Sequence, residues 1–334
     1  MREQHDDAPA RGRLAPSPTG RLHLGNAWAF LLAWLWARSH ADGRVVLRME
    51  DIDPERSRPD HAEAIMADLR WLGLDWDEGP DMGGPHGPYV QSLRLGRYAD
   101  ALETLSAQGR VYPCFCTRKE LRELAGAPHA RLADDGSPAY PGLCRNLSPE
   151  QREELLRQGR RPCLRLRCDA LALSFADAVA GPRRMTLEEC GGDFALRRSD
   201  GVFAYQLAVV LDDAAMGVTQ VARGDDILAS TPRQLFLQRL LGLPSPRYAH
   251  LPLVLDHQGE RLAKRHQSLA LAELRGRGVA PGAIVGYLAW RAGLLPAPRP
   301  CPPAELAPGF SPEALPPGPV VLPEDIGSVL LALG

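Results

Sequence analysis

The stretch from Arg13 to Ala37 restricts the fold more than any other part of the chain. It opens on Arg13-Leu14-Ala15, apolar enough for a short strand, breaks at Pro16-Ser17-Pro18-Thr19-Gly20, and resumes in eleven consecutive apolar residues, Ala27 to Ala37. Two prolines separated by a single residue exclude regular helix and a central strand, so the chain must turn there. The helix predicted from Leu24 to about Ser39 then places Trp28, Phe30, Leu31, Leu32, Trp34, Leu35 and Trp36 nearly all round its surface. Only a helix enclosed by other elements tolerates that pattern. The run is far shorter than the roughly 20 apolar residues of a bilayer span, and Met1 to Arg13 lacks the apolar stretch of a secretory leader. No membrane association is expected, and the cytoplasm is the expected compartment.

Val45-Val46-Leu47 reads as the next buried strand, and Asp60 to Leu72 as an amphipathic helix with Ala64, Ile65, Leu69 and Leu72 on one face. This βαβ opening predicts a parallel sheet with its functional loops at the carboxyl edge. Glycine, proline and acid from Asp77 to Gly87 mark a boundary, after which residues 90–195 read as a separate module with helices at Leu93 to Gln108 and Pro149 to Gln158. The α/β pattern returns near Phe203, with a helix from Ala204 to Asp213, a strand Val218 to Val221, and a helix whose opening Ser230-Thr231-Pro232 combines an N-cap candidate with a first-turn proline. The expected fold is α/β, a Rossmann-like parallel sheet interrupted by an insertion and followed by a partly helical C-terminal piece. Its expected divisions are 13–88 and 196–244 for the two halves of the α/β domain, 89–195 for the insertion, and 245–295 for the helical piece. The proline-crowded 296–334 is expected to be a disordered tail.

A net charge of −2 leaves no global field to draw the chain onto a polyanion, so any such partner must meet local patches. Within the insertion and just after it, Arg160-Arg161, Arg165, Arg167, Arg183-Arg184 and Arg197-Arg198 offer one. Only two of the 39 basic residues are lysines, Lys119 and Lys264. Seven cysteines cannot all pair, and Cys114-Phe115-Cys116 is too tight for an ordinary bridge, which points to a reducing compartment and to metal as the use of that cluster.

Two segments carry recognisable chemistry. Pro16 to Asn26 lies between strand and helix, where unpaired amides and the positive end of a helix dipole suit phosphate, with His23 as a donor. Gly259-Glu260-Arg261-Leu262-Ala263-Lys264-Arg265 is a polar loop carrying one of the two lysines, a point charge for a polyphosphate. Taken singly, the first is a turn with a solvent-facing histidine and the second an exposed basic loop.

Taken together, in this order, the two segments resemble the glutamyl branch of the class I aminoacyl-tRNA synthetases. Arg13 to Gly20 is similar to that branch's opening nearly letter for letter; His23-Leu24-Gly25-Asn26 stands at its HIGH signature and Arg261-Leu262-Ala263-Lys264-Arg265 at its KMSKS signature. The resemblance runs from Arg13 to about residue 275 and implies activation of L-glutamate by ATP with Mg2+. His23 and Lys264 would be the catalytic groups, and His23, Gly25, Asn26 and Lys264 would bind ATP. Arg13, Ser17, Glu50, Tyr205 and Arg223 would bind glutamate, cations on its carboxylates and an anion on its ammonium. Without the resemblance, Glu50 and Arg223 read as surface charges and Tyr205 as core.

About seventy residues follow the KMSKS segment, many of them proline, where the tRNA-charging members carry a large anticodon-binding region. That resembles the truncated subgroup that places glutamate on the queuosine base of tRNA(Asp) and activates glutamate without tRNA. Cys114-Phe115-Cys116 and Tyr140-Pro141-Gly142-Leu143-Cys144 are similar to its structural zinc pattern, implying Cys114, Cys116, Tyr140 and Cys144 as ligands of one Zn2+. His129 competes for the fourth position on chemical grounds, and Cys163, Cys168, Cys190 and Cys301 read as ordinary thiols. The signatures depart from the family at Asn26, Arg261 and Ala263. The expected partners are L-glutamate, ATP and the anticodon stem-loop of tRNA(Asp), with the chain a monomer. The rival readings are a discriminating glutamyl-tRNA synthetase acting on tRNA(Glu) and a non-catalytic tRNA-binding paralogue.

Overall fold

A computed structural model describes residues 9–125, 139–262 and 269–334. The chain opens with β1 (Arg11–Leu14), α1 (Leu24–Arg38), β2 (Arg44–Leu47) and α2 (Pro59–Trp71). β1 and β2 are parallel, with Arg13 opposite Val46. The helix between them is enclosed, as its composition requires: Trp28, Leu31, Leu32, Trp34, Leu35 and Trp36 are all buried. The indole N–H groups of Trp28 and Trp34 donate to the Pro252 carbonyl at 2.8 Å and to Asp75 Oδ1 at 2.8 Å, so neither polar edge is lost inside.

The middle of the chain supplies α3 (Leu95–Ala107), β3 (Val111–Cys114), α4 (Arg118–Ala125), α5 (Pro149–Arg157), β4 (Cys163–Leu166), β5 (Ala172–Asp177), β6 (Gly181–Thr186) and β7 (Ala195–Arg197). There follow α6 (Tyr205–Ala215), β8 (Gln220–Gly224), α7 (Ser230–Leu241), β9 (Arg247–Leu251), β10 (Val254–Leu255), α8 (Leu271–Gly276) and α9 (Pro281–Arg291). The last elements are α10 (Pro303–Leu306), β11 (Val320–Val321) and α11 (Ile326–Leu333).

β8 and β9 are parallel with Arg223 opposite His250, and Thr219 N–H donates to the Arg11 carbonyl at 2.9 Å, setting β1 beside β8. The sheet is mixed rather than wholly parallel. The β5–β6 hairpin joins it at the far edge in the order β6-β5-β9-β8, β5 parallel to β9 through Asp177 and Tyr248 and β6 antiparallel to β5. A hairpin can only add an antiparallel partner to the strand it follows. The middle segment also shares a core with the helices after it, Leu166, Leu187, Phe194 and Leu196 packing with Leu207, Val210, Phe236 and Leu237.

Two local expectations are corrected. The cap of α7 is Ala229, and the hydroxyls of Ser230 and Thr231 are buried and turned to side chains instead. The proline-rich end is not a disordered tail: Cys301, Leu306, Phe310, Leu315, Leu322, Ile326 and Leu330 are buried in the same core as α1, and β11 pairs with β10 at Val320 and Val254. Pro303 and Pro312 fall in the first turns of short helices, where proline is tolerated and its fixed φ lowers the entropy lost on ordering. Among the described residues no helix is long and apolar enough to cross a membrane.

Candidate active site and thiol cluster

The loop through Pro16 and Pro18 delivers His23 in extended backbone to the start of α1, where it is the N-cap. Its Nδ1 accepts the N–H groups of Gly25 at 3.1 Å and Asn26 at 3.3 Å, while Asn26 Oδ1 accepts the His23 N–H at 3.0 Å. This reciprocal capping fixes the ring: with Nδ1 an acceptor, a neutral imidazole carries its proton on Nε2. A Cβ on Gly25 would lie 3.1 Å from the ring, so glycine leaves the room this pose needs.

His23, Gly25 and Asn26 line one cavity of about 560 Å³ together with Arg13, Ser17, Glu50, Tyr205 and Arg223. The structure thus brings five residues that the resemblance assigns to glutamate beside the helix start it assigns to ATP. Arg13, buried at the end of β1, donates to the Ala222 carbonyl at 2.9 Å and faces Asp213 at 3.6 Å. Glu50 follows β2 and is tied to the proline loop by its N–H to the Pro16 carbonyl at 2.9 Å. Burial pushes the Glu50 carboxyl above its ordinary value, against the pull of Arg48 and Arg13.

Arg223 ends β8 and is 6% exposed, whereas Tyr205, at the start of α6, is 36% exposed. These are the reverse of the positions their residue types suggest. Arg223 Nε donates to His250 Nε2 at 3.1 Å, Nη1 to Gln234 Oε1 at 2.8 Å and Nη2 to Thr231 Oγ1 at 2.7 Å; Tyr205 Oη lies 3.5 Å from Nη1.

The second signature meets the same cavity. Arg261 and Leu262 line it, and Arg261 pairs with Asp226 at 2.5 Å. Lys264 and Ala263 lie outside the described residues; after them, Ala270 bridges to His23 and Leu271 N–H donates to the Leu22 carbonyl at 2.9 Å. A second recess of about 360 Å³ shares Ser17, Glu50 and Tyr205 and continues past Asp53, Arg56, Ser57, Arg198 and Phe203.

Sequence reasoning missed the support behind these walls. Arg48 is fully buried and donates to Asp213 Oδ1 at 2.7 Å and Glu50 Oε1 at 2.9 Å, while Asp212 accepts from Arg94 at 2.5 Å, Tyr98 at 2.7 Å and Gln91 at 2.8 Å. Thr231, Gln234 and His250 hold Arg223 in the same way, with Asp177 behind His250. For Arg48, His250 and Asp177 a signal existed, since each interrupts an apolar run, though nothing in the run names its partner. Several arginines of the expected polyanion patch are engaged internally: Arg160 with Glu120, Arg165 over the Tyr140 ring, Arg167 with the Arg145 carbonyl and Arg198 between Asp53 and Asp200. Arg161, Arg183, Arg184 and Arg197 are exposed.

In the middle segment the ligand atoms of Cys114, Cys116 and Cys144 lie within 4.8 Å of one another. Tyr140 Oη is 3.3 Å from Cys114 Sγ and accepts the Cys144 N–H at 2.9 Å, and Cys144 Sγ accepts the Phe115 N–H at 3.4 Å. His129 lies outside the described residues. Cys163, expected to be an ordinary thiol, is opposite Cys114 across β3 and β4, and its hydrogen bond leads the influences that hold the Cys114 thiol below its usual value. Burial and the neighbouring sulfur push Cys116 up. Three thiols this close cannot all ionise unaided, but a divalent cation would let them, so the donor set fits a zinc-type ion.

The sequence profile for tRNA synthetases class I (E and Q), catalytic domain, matches residues 9–297. The chain is 62% identical over 316 residues to a glutamyl-Q tRNA(Asp) synthetase of Nitratidesulfovibrio vulgaris, covering 95% of this chain and 96% of that one. It is 54% identical to a protein of the same name from Symbiobacterium thermophilum, covering 94% and 96%. Among solved structures, a glutamate-tRNA synthetase from Elizabethkingia anophelis superposes with a TM-score of 0.80 at 26% identity, over 96% of this chain and 69% of that one. The capped His23, the cavity it shares with Arg223 and Arg261, and these matches lead to one assignment: the chain is a ligase of the class I tRNA synthetases and belongs to the glutamyl-Q tRNA(Asp) synthetase family.

Proposed function

We propose that the chain activates L-glutamate with MgATP, without tRNA, and transfers it to the queuosine base of tRNA(Asp). The observation that carries this reading is the single cavity shared by His23, Arg13, Glu50, Tyr205, Arg223 and Arg261. Arg223 would take one glutamate carboxylate and Glu50, with Tyr205 and Ser17, the ammonium; Arg13 adds a second cation. The remaining carboxylate then attacks the α-phosphate, giving glutamyl adenylate and pyrophosphate. Little covalent chemistry is asked of the protein, so positioning and charge stabilisation supply the rate. The Nε2–H of His23 and the positive end of the α1 dipole stabilise charge at phosphate, with the N–H groups of Gly25 and Asn26 holding the ring beside it, and Lys264 closes on the leaving pyrophosphate. Arg261 keeps the signature's charge, and Asp226 holds it at the rim. In the second step a hydroxyl of the cyclopentenediol attacks the adenylate carbonyl from the recess beyond Glu50 and Tyr205, forming an ester as the acyl–phosphate bond breaks and AMP leaves with the hydroxyl proton.

Cys114, Cys116 and Cys144, with Tyr140, would hold one structural Zn2+, which pins the end of β3 to the segment carrying Cys144. The proposed setting is a cytoplasmic monomer. The deciding experiment incubates the full chain with radiolabelled glutamate, ATP and tRNA(Asp) with or without queuosine. Label on the modified tRNA alone, surviving removal of the terminal adenosine, is expected. Label on tRNA(Glu) that is lost with that adenosine would make the enzyme a glutamyl-tRNA synthetase, and absence of glutamate-dependent ATP–pyrophosphate exchange would leave a non-catalytic paralogue. Lys264→Ala is expected to lower the exchange rate by about 10²-fold or more.

A further inference from the structure

The active-site arginine is held by two buried titratable groups that the proposed chemistry does not use. His250 in β9 stands opposite Arg223 in β8, and both are almost inaccessible. Because Arg223 Nε–H donates to His250 Nε2 at 3.1 Å, that nitrogen must present a lone pair. The ring proton then belongs on Nδ1, which faces Asp177 Oδ2 at 2.5 Å. Asp177 is the last residue of β5, and its carboxylate also accepts the backbone N–H groups of Val179 at 3.0 Å, Ala180 at 2.8 Å and His250 at 3.1 Å. Three backbone donors fix it in place, so it has little freedom to follow the ring.

Thr231 Oγ1 completes the arrangement, 2.7 Å from Arg223 Nη2 and 3.1 Å from His250 Nε2. The Nε and Nη2 edge of the guanidinium therefore rests on the histidine and threonine. Gln234 takes one N–H of Nη1 at 2.8 Å and Tyr205 Oη, itself on the cavity wall, takes the other at a long 3.5 Å, while Nη2 keeps a second N–H beyond Thr231 among the described residues. Arg223 lines the cavity; that remaining donor and the one shared at long range with Tyr205 are what a ligand carboxylate would meet.

We propose that Asp177 and His250 form a buried positioning pair that locks Arg223 as the receptor for the side-chain carboxylate of glutamate, and so sets specificity for glutamate over glutamine. The inference rests on the reading of Arg223 as that receptor. Asp177 orders the tautomer, His250 presents the acceptor, and Arg223 is held with its carboxylate-binding donors outward. A proton on Nε2 would set donor against donor and release the guanidinium. The pair also runs from the middle segment into the catalytic sheet, since Asp177 belongs to the β5–β6 hairpin. Neither residue touches the cavity; both act through Arg223.

The test is ATP–pyrophosphate exchange by the full-length protein, with KM for L-glutamate and for ATP measured separately. His250→Leu removes the acceptor, and is expected to raise KM for glutamate about tenfold or more, as loss of a charged hydrogen bond does, with KM for ATP within about twofold. His250→Gln places an amide oxygen near the Nε2 position and should recover most of the loss. Asp177→Asn, though isosteric, offers Nδ1 a donor and should behave like His250→Leu. Arg223→Lys is the control. If it raises KM for glutamate while His250→Leu does not, if KM for ATP rises in step, or if His250→Gln is as poor as His250→Leu, the pair is not a positioning device and the reading of Arg223 survives. If Arg223→Lys leaves KM for glutamate unchanged, the receptor reading itself fails and the inference with it. Should the leucine variant not fold, 15N NMR of the wild-type ring decides: an Nδ1–H tautomer is expected, and a proton resident on Nε2 overturns the proposal.

Discussion

Arg48 Nη2 donates to Glu50 Oε1 at 2.9 Å, and through this bond the cavity wall hangs on an ionic core. Arg48 has no exposed surface, and its other partners, Asp213 at 2.7 Å and Asp212 at 3.9 Å, are buried with it. Removing one member of a buried ion cluster leaves the others as uncompensated charge, which costs about 3–5 kcal/mol. Arg48→Met is therefore expected to lower the urea-unfolding free energy by about that amount. The Glu50 carboxyl, already raised by burial, would lose one of the two cations that pull it down, so KM for glutamate should rise in whatever fraction folds. An unfolding midpoint within error of wild type would show that the cluster contributes nothing net.

His23 caps α1, and the proposed reading gives it a second job at phosphate; a pair of substitutions separates the two. As an N-cap, its loss in His23→Ala should cost about 0.5–2 kcal/mol of stability. His23→Asn restores a short polar cap and should return stability to within about 0.5 kcal/mol of wild type, yet it lacks a ring N–H on the far side of the cap. Both variants are expected to lose about 10²-fold in ATP–pyrophosphate exchange. Wild-type exchange in His23→Asn would reduce the histidine to a structural cap.

The sequence made the outer frame of this site legible and left its supports hidden, for a physical reason. Cavity-lining residues such as His23 sit in punctuated local contexts, with the prolines before it and the glycine after it. Arg48 instead acts on helix α6, and Asp177 and His250 on each other across the sheet, with partners 165, 73 and 73 positions away in sequence. Local spacing carries no trace of such pairing. The hydroxyls of Ser230 and Thr231 show the same limit: their pattern suggests a cap, but burial beside Arg223 and Gln206 claims them. The proline-rich end misled in the opposite direction. Its composition resembles a linker, whereas Leu306, Phe310, Leu315 and Leu322 recur often enough to build a face for the α1 core.

The thiol cluster makes a stoichiometric prediction. The full chain should carry about one Zn2+, and Cys144→Ser should lose it by elemental analysis, with the segment around β3 and β4 gaining hydrogen exchange. Tyr140 Oη already lies against Cys114 Sγ, so Tyr140→Phe should weaken metal retention against a chelator by about tenfold or more, the size of effect seen when a metal's immediate partners are changed. Unchanged retention in Tyr140→Phe would move the fourth position to another donor, His129 foremost.

Acid stability gives a last test, centred on the Asp177–His250 pair. Burial holds His250 below its ordinary value of 6.5, with Arg223 adding to the effect and Asp177 opposing it. Burial would raise Asp177, but the His250 hydrogen bond and the backbone donors outweigh it and keep its carboxyl below 3.8. Arg223 from β8, Asp177 from β5 and the more distant Arg13 from β1 are the charged groups acting on the ring, which stacks on Tyr248 at 6.1 Å. Both groups bind fewer protons folded than unfolded, so stability rises with pH through each window. The histidine contribution is full above about pH 6.5 and declines as pH falls from there toward the lowered folded value; the aspartate contribution is full above about 3.8 and is lost below it. Urea-unfolding free energy measured from pH 8 to pH 4 should therefore begin to fall near pH 6.5. In His250→Gln that first decline should shrink, leaving the carboxylate-driven loss at lower pH in place. A wild-type curve that is flat between pH 7 and pH 5, or one whose decline persists undiminished in His250→Gln, would mean that the buried ring does not govern this limb.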